Sequence, residues 1–310
     1  MNTVKKYLSL VKFSHTIFAM PFALIGYFLG TRYLESTAYH GAPIPGFPYP
    51  QPEPGHNGLK LILVILCMVF ARSAAMAFNR WLDKNFDARN PRTAIREIPA
   101  GIIRSNNALI FVLLSCIAFI VCCWFINRIC FYLSFVALFI ILFYSYTKRF
   151  TALCHLVLGV GLSLAPIGAY LAVTGTFALL PVLFSFTVLF WVSGFDIIYA
   201  LQDEEFDKAN NLHSIPAAVG KKKALMISVL LHILAAGCVL FAGFYGDFHL
   251  WYWIGITIFL GMLIYQHSIV KPTDLSRVNI AFMTANGIAS VAFSVFVIAD
   301  IYITQSTIVY

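Results

Sequence analysis

Charged side chains are scarce in this sequence of 310 residues: they make up 11% of it, whereas hydrophobic residues make up 60%. Soluble domains carry charged residues at about 25%, so this scarcity excludes an ordinary soluble domain. The apolar residues also come in unbroken blocks, such as Leu61 to Phe70 and Leu109 to Phe125. The strands of membrane barrels would alternate instead. The sequence therefore predicts an all-α, polytopic membrane protein.

Acidic residues are fewer than basic ones, 13 against 21, which gives a formal net charge of +8. A basic balance can indicate nucleic-acid binding, but here the basic residues are spread over the segments between apolar blocks, as membrane topology requires. We therefore expect no nucleic-acid partner.

The seven cysteines lie in or beside apolar blocks, are odd in number and show no metal-ligand spacing with histidine. We expect them to be small buried side chains rather than disulfides or metal ligands.

Nine windows are long and apolar enough to cross about 30 Å of hydrocarbon. We expect one transmembrane domain over residues 1–310, with nine helices around a central cavity. The expected centres are Phe18 to Tyr33, Leu59 to Phe78, Ala108 to Phe125, Ile129 to Tyr146, Leu153 to Val173, Leu179 to Leu201, Ala224 to Tyr245, Trp251 to Ile269 and Val278 to Ile301.

The basic residues fall on one side of this topology. With the N-terminus in the cytoplasm, every lysine and arginine lies on the cytoplasmic side except Arg32, Lys60, Arg72 and Arg128. By the positive-inside rule we expect an integral protein of a bacterial inner membrane with a cytoplasmic N-terminus. Residues 40–58 form an external segment with six prolines, which predicts an extended linker or, alternatively, a partner-binding segment.

Two sets of polar residues stand where apolar helices are expected to end. They are Asn79, Asp83 and Asp87, and Asp196, Asp203 and Asp207. On a helix the first set spans about 80° and the second about 40°, so each set occupies one face. Arg72 shares the first face. Charges at membrane depth cost about 2.5 to 3.5 kcal/mol, which favours a functional role for both sets.

The two acidic segments resemble copies of each other. The same spacing separates Asp83 from Asp203 and Asp87 from Asp207, and each pair is followed by a basic loop with an Ile-Pro-Ala sequence. This pattern predicts two four-helix halves, about 10–150 and 151–270, with a ninth helix at 278–301. The two acidic faces would then meet across the cavity.

Facing acids among basic residues are typical of a site for a diphosphate bridged by Mg²⁺, because this cation takes carboxylate and phosphate oxygens together. A lipid tail would lie in the apolar cavity and in contact with membrane lipid. The candidate phosphate-binding residues on neighbouring cytoplasmic loops are Arg92, Arg96, Lys148 and Arg149. His15, at the start of the first helix, could orient a substrate or serve only as an interfacial residue.

Other interpretations stay open at this point. Single acids at a helix end can be solvated interfacial charges, and Arg72 can simply pair with an intramembrane acid. A secondary transporter also carries intramembrane acids in repeated halves, although transporters usually place them near the membrane midplane. A phosphotransferase for phospholipid alcohols would need a denser motif of Asp-Gly and Ala-Arg pairs.

The motifs resemble those of the UbiA superfamily of intramembrane prenyltransferases. The first signature is Asn79-x3-Asp83-x3-Asp87 with Arg92-Thr93-x2-Arg96, and the second is Asp196-x2-Tyr199-Ala200-x2-Asp203-x3-Asp207 with His213-Ser214. The tyrosine and basic cluster Tyr144-x3-Lys148-Arg149 and the opening segment around His15 are similar to those of 4-hydroxybenzoate polyprenyltransferase-like members.

The resemblance implies a nine-helix fold and Mg²⁺-dependent transfer of a polyprenyl group from its diphosphate to an aromatic acceptor, 4-hydroxybenzoate or similar, in ubiquinone or menaquinone biosynthesis. Asn79, Asp83 and Asp87 would bind one Mg²⁺; Asp203 and Asp207, with Asp196, would bind a second. Tyr199 would stabilise the allylic cation through its ring face. Arg149 or His15 would bind the carboxylate of the acceptor.

Overall fold

The chain is all-helical in the part that the computed structural model describes, which comprises residues 3–12, 18–39 and 57–304. The only β-type pairing in that part is an isolated bridge between Lys271 and Asp274. The predicted all-α class is thus confirmed. His15 and most of the proline-rich segment lie outside the described residues.

Twelve α-helices are described, together with a 3₁₀ turn at Leu201–Asp203 and a π-helical turn at Ile280–Ala285. The helices are α1 (Thr3–Leu10), α2 (Met20–Tyr39), α3 (Asn57–Leu82), α4 (Lys84–Arg89), α5 (Ser105–Ile126), α6 (Arg128–Thr147), α7 (Cys154–Thr174), α8 (Leu179–Ala200), α9 (Glu204–Ala209), α10 (Ile215–Tyr245), α11 (Leu250–Ile269) and α12 (Asn286–Ile303).

Eight of the described helical segments are long and apolar enough to cross a membrane. They correspond to eight of the nine expected spans. The first expected span corresponds to α2, which carries the ion pair of Arg32 with Glu35 at 3.4 Å and is not among the eight. Many large apolar side chains on the other helices face outward, Leu114, Phe139 and Ile264 among them, as a lipid environment requires.

The main core lies between α2, α8, α10, α11 and α12. It is rich in aromatic side chains, and Phe22, Phe184, Trp191, Tyr252 and Phe293 are all fully buried in it. Helix α8 packs on both α7 and α10, while α2 packs on α7 and α12. The first helices of the two predicted halves, α2 and α7, are therefore direct neighbours.

Small residues allow some of these helices to approach closely. At Gly26 of α2, a Cβ atom would overlap the backbone carbonyl of Pro166 in α7. Because lipid tails are as apolar as leucine, helix association in membranes depends on such close packing more than on apolar burial. Helix α7 then ends at Gly175, whose φ of 69° suits the left-handed C-terminal cap.

A cavity of about 350 Å³ lies between α3, α5, α6 and α7. Its wall is mostly apolar, with side chains such as Met68 and Phe119, and the predicted cavity is thus present. Arg72 of α3 and Tyr144 of α6 bring charged and polar groups into this wall. Tyr144 also interacts electrostatically with Asp83 and Asp196, so the cavity adjoins the acidic residues.

Candidate active site

Both acidic segments have the same local construction. Helix α3 ends at Leu82, and Asp83 occupies the position before the short helix α4 with φ −93° and ψ 7°. Helix α8 ends at Ala200, and Asp203, the last residue of the 3₁₀ turn, occupies the position before the short helix α9 with φ −104° and ψ 4°. Matching backbone geometry at matching sequence positions supports the predicted repeat.

The first acidic segment keeps its helical register across this break. The Asp83 amide donates to the Asn79 carbonyl at 3.0 Å, and the Asp87 amide donates to the Asp83 carbonyl at 2.8 Å. These are α-helical hydrogen bonds between residues four apart. They keep the three side chains on one side of the chain, as the sequence spacing predicts, and the Asn79 amide donates to Asp83 Oδ2 at 3.2 Å.

Four predicted bases each pair with one of four predicted acids. The pairs are Arg149 Nη2 with Asp83 Oδ1 at 2.9 Å, Arg96 Nη1 with Asp87 Oδ1 at 2.6 Å, Lys148 Nζ with Asp207 Oδ1 at 2.8 Å, and Arg92 Nη2 with Asp203 Oδ2. Two of these pairs join the two predicted halves, because Arg92 and Lys148 belong to the first half and their partners to the second. The structure therefore brings the two acidic segments together.

Arg92 makes the most extensive of these contacts. Its Nε donates to Asp203 Oδ1 at 3.0 Å, its Nη1 donates to the Tyr199 hydroxyl at 2.9 Å, and its Cζ lies 5.1 Å from the Tyr199 ring centre. Asn90 donates to the same carboxylate oxygen at 3.2 Å. Burial lowers the pKa of Arg92, but the hydrogen bond and charge of Asp203 outweigh burial and raise the pKa above its usual value.

Asp207 is the most buried of the four paired acids, with no exposed side-chain area. Its Oδ1 forms the charge contact with Lys148 without an aligned hydrogen bond, and its Oδ2 accepts from the Ser214 hydroxyl at 2.7 Å. Ser214 also caps α10 by accepting from the Ala217 amide at 3.3 Å. Burial lowers the pKa of Lys148, but the charge of Asp207 outweighs burial and raises it.

Arg149 lies at the ends of two helices. It donates to the Leu82 carbonyl at 3.2 Å and to the Ser145 carbonyl at 3.1 Å, in addition to its bond with Asp83. Free carbonyls at helix C-termini attract cations, which explains this position. Burial is the main cause that raises the pKa of Asp83, and the charge of Arg149 opposes it.

Asp196 differs from Asp203 and Asp207 in its partner, which is a histidine instead of an arginine or a lysine. Its Oδ2 lies 2.7 Å from His155 Nδ1, and the other ring nitrogen of His155 accepts from the Ile215 amide at 3.3 Å. The role of Asp196 as a metal ligand stays a prediction. The sequence motifs gave no site role to His155 or Asn90, and the signal for both was their proximity to motif residues.

Tyr199 and Arg72 have different surroundings. The Tyr199 ring packs against Phe282 of the π-helical turn, with ring centres 4.3 Å apart and ring planes tilted by 31°. Arg72 has no acidic partner within 4 Å among residues 3–12, 18–39 and 57–304. In the same part of the chain its buried Nε has no hydrogen-bond partner, so an anion in the cavity could bind there.

The acids suit a hard divalent cation in type and in number. Asp87 Oδ2 is buried and accepts no hydrogen bond from any described residue. In the described part of the chain, no three histidine, cysteine or acidic side chains are grouped so that they could hold a metal ion by themselves. Mg²⁺ is usually bound by one or two carboxylates and completes its shell with water and phosphate oxygens, so this ligand set fits a cation that binds together with a phosphate compound.

Comparisons with known proteins agree with these observations. A profile of the UbiA prenyltransferase family matches residues 46–288. The 4-hydroxybenzoate octaprenyltransferase of Nitrosomonas europaea is 30% identical over 248 residues, which cover 80% of this chain and 84% of that protein.

Solved structures show the same fold. A UbiA homolog from Aeropyrum pernix K1 superposes with a TM-score of 0.73 at 27% identity, covering 93% of this chain and 96% of that one. A UbiA homolog from Archaeoglobus fulgidus, solved with GPP and Mg²⁺, has a TM-score of 0.66 at 18% identity, covering 96% of this chain and 100% of that one. The chain is an integral membrane prenyltransferase and belongs to the UbiA prenyltransferase family.

Proposed function

We propose that this prenyltransferase moves a polyprenyl group from polyprenyl diphosphate to 4-hydroxybenzoate or a similar small aromatic acid, with Mg²⁺, in ubiquinone or menaquinone biosynthesis. The observation that carries the proposal is the cluster of four acid–base pairs beside an apolar cavity. The name of the Nitrosomonas relative and the GPP and Mg²⁺ of the Archaeoglobus homolog support the choice of substrates and cation.

The diphosphate end of the donor would lie between the two acidic segments. Asn79, Asp83 and Asp87 would hold one Mg²⁺, and Asp203 and Asp207 the other, with the role of Asp196 to be tested separately. When bound, Mg²⁺ would neutralise the negative charge that grows on the leaving diphosphate. Oxygen donors alone form these two sets, and this is the ligand chemistry that Mg²⁺ prefers.

The bases would bind the outer oxygens of the diphosphate. Arg92, Arg96 and Lys148 lie within ion-pair distance of the acids, so each can reach a phosphate group bound next to its present partner. Arg92 and Lys148 carry positive charge at neutral pH, and the neighbouring acids raise the pKa of each still further. Charged hydrogen bonds from these side chains to phosphate oxygens then orient the leaving group.

The hydrocarbon part of the reaction needs a site without water. The apolar wall of the cavity can bury the prenyl chain, and Tyr199 shares its partner Arg92 with Asp203. Once Arg92 turns to the diphosphate, the ring face of Tyr199 becomes available to stabilise the allylic cation, while the contact with Phe282 holds the ring in place.

The carboxylate of the aromatic acid would bind to Arg72. This guanidinium lies in the cavity wall, and its Nε has no hydrogen-bond partner in the described residues. Arg72 stands seven residues before Asn79 on the same helix, about 10 Å along its axis, which leaves room for one aromatic ring. Arg149 was the alternative from the sequence, but its guanidinium already contacts two helix carbonyls and Asp83.

The protein would span the inner membrane of a bacterium, and its site would face the cytoplasm. The distribution of basic residues supports this orientation by the positive-inside rule. A secondary transporter, the alternative from the sequence, is disfavoured because the four paired acids follow the ends of α3 and α8 rather than lying in the middle of these spans.

One aspartate from each acidic segment should be required for prenyl transfer. We expect Asp83→Asn and Asp203→Asn each to lower the rate of prenyl transfer by about a hundredfold or more, because each removes a charge that stabilises the leaving diphosphate through the cation. Initial rates in membranes with equal amounts of inserted protein measure the effect. Glu205→Gln, an exposed acid beside the second segment, is the matched control. Full turnover by either aspartate variant would contradict the proposal.

The hydroxyl of Ser214 should matter through Asp207. A hydrogen bond to a charged group contributes about 1.5 to 3 kcal/mol, so we expect Ser214→Ala to lower kcat/KM for the prenyl diphosphate about tenfold or more, and Ser214→Thr to retain most of it. The exposed Ser268, changed to Ala, is the control. Equal kcat/KM for the Ala variant and the unaltered protein would show that this contact has no part in catalysis.

Arg72 should act on the acceptor and not on the donor. We expect Arg72→Gln to raise the KM for the aromatic acid about tenfold or more, since a charged hydrogen bond to the carboxylate is lost, with little change in the KM for the prenyl diphosphate. Arg128→Gln, at the opposite membrane surface and exposed, is the control. A raised KM for the donor with an unchanged KM for the acid would reverse the assignment.

A further inference from the structure

Two charged side chains, Arg80 of α3 and Glu97 of the loop after α4, are buried near the first acidic segment. They are 5% and 6% exposed. Nε and Nη1 of Arg80 and Oε2 of Glu97 are buried and have no hydrogen-bond partner among the described residues. A buried charge without compensation is strongly unfavourable, so each of the two side chains depends on charged neighbours.

These neighbours are Asp87 and Arg96. Arg80 is attracted electrostatically by Asp87 and Glu97 and repelled by Arg96. It precedes Asp87 by seven residues, about two helical turns, so both lie on the same side of the chain. Arg96 Nη1 donates to Asp87 Oδ1 at 2.6 Å and adjoins Glu97 in the sequence. Arg80, Asp87, Arg96 and Glu97 thus form a charge quartet in which two bases balance two acids.

The members of the quartet differ in their freedom to move. Ser9 of the N-terminal helix α1 donates to Glu97 Oε1, and the Ile103 amide donates to the Glu97 carbonyl at 3.0 Å. These bonds hold both the side chain and the backbone of Glu97. The side chain of Arg96 is more exposed, at 22%, and long, so Arg96 is the member that can change its partner.

We propose that Arg80 is a positioning residue: by balancing the charge of Glu97, it keeps Arg96 on Asp87. Without Arg80, two carboxylates would compete for Arg96, and the unpartnered Oε2 of Glu97 would attract it away from Asp87. That change would displace a candidate phosphate-binding residue without altering any group that touches the substrates. The inference rests on the proposed function in one respect, since it takes Asp87 and Arg96 as parts of the diphosphate site.

Removal of the Arg80 charge should impair the use of the donor. We expect Arg80→Gln to raise the KM for the prenyl diphosphate and to lower kcat/KM for it about tenfold or more, because a charge-assisted contact in the diphosphate site is lost. The KM for the aromatic acid should stay unchanged. Arg80→Lys keeps the charge and should retain most of the activity. Arg89→Gln, which removes an exposed charge of α4, is the matched control.

Removal of the competing acid should repair the defect. We expect Arg80→Gln with Glu97→Gln to have a kcat/KM within about threefold of the unaltered protein, because the remaining pair of Arg96 and Asp87 is balanced again. In the Glu97→Gln background, Arg80→Gln should therefore cost little, a comparison that holds even where Arg80→Gln alone fails to insert. A further tenfold loss in that background would overturn the proposal, as would an unchanged KM for the diphosphate in Arg80→Gln.

The melting temperature of each variant in lipid nanodiscs separates positioning from stability. An uncompensated Glu97 also destabilises the fold, so we expect the double variant to regain melting temperature and kcat/KM together. Regained melting temperature without regained kcat/KM would reduce Arg80 to a structural residue and overturn its positioning role.

The aspartate variants separate this inference from the proposed function. Loss of transfer in Asp83→Asn and Asp203→Asn, together with independent effects of Arg80→Gln and Glu97→Gln, would refute the quartet and leave the proposed site in place. Full turnover by both aspartate variants, with the Arg80→Gln defect repaired by Glu97→Gln, would support the coupling of Arg80 with Glu97 and refute the proposed site.

Discussion

Neutralisation of the carboxylates at the membrane edge is the constraint on which the rest of this structure depends. The side chains of Asp87 and Asp207 are 8% and 0% exposed, and an isolated carboxylate in such a place would lose several kcal/mol of hydration. Each of the paired acids therefore needs a base, and the bases come from segments far apart in the sequence. The ion pairs thus fix how the loops after α4 and α6 lie on the second acidic segment.

The helices supply the frame in which these loops can meet. Direct packing of α2 on α7, permitted by Gly26, and packing of α8 between α7 and α10 bring the ends of α3 and α8 to the same site. The membrane then provides what the chemistry requires: apolar walls on one side of the acids for a prenyl chain and an aqueous phase on the other. Arg72 places a positive charge in that mostly apolar wall.

Much of this site could be predicted from the sequence because it depends on spacing. Acids four residues apart must share a helix side, and the register of Asp83 and Asp87 agrees with that. The equal spacing between the two acidic segments predicted their similar construction, which the backbone angles of Asp83 and Asp203 support. The basic residues were predicted to bind phosphate because they lie close to the acids in the sequence.

The pairing of individual side chains could not be predicted, because it depends on the three-dimensional course of the loops. Nothing in the spacing indicates that Arg149 contacts the end of α3, or that His155 pairs with Asp196 from the neighbouring helix. The position of the cavity depends on helix packing in the same way. The sequence predicted nine spans of the same kind, but one of them, α2, contains an Arg–Glu ion pair and is less apolar than the other eight.

Identification of the product tests the proposed reaction most directly. Membranes that contain the protein are incubated with a polyprenyl diphosphate and a set of aromatic acids, with Mg²⁺ or with EDTA, and the extracts are examined by mass spectrometry. We expect 4-hydroxybenzoate or a close relative to gain one prenyl chain with Mg²⁺, and no product with EDTA until Mg²⁺ is restored. Absence of any prenylated aromatic acid, or equal yields with EDTA, would contradict the proposed reaction.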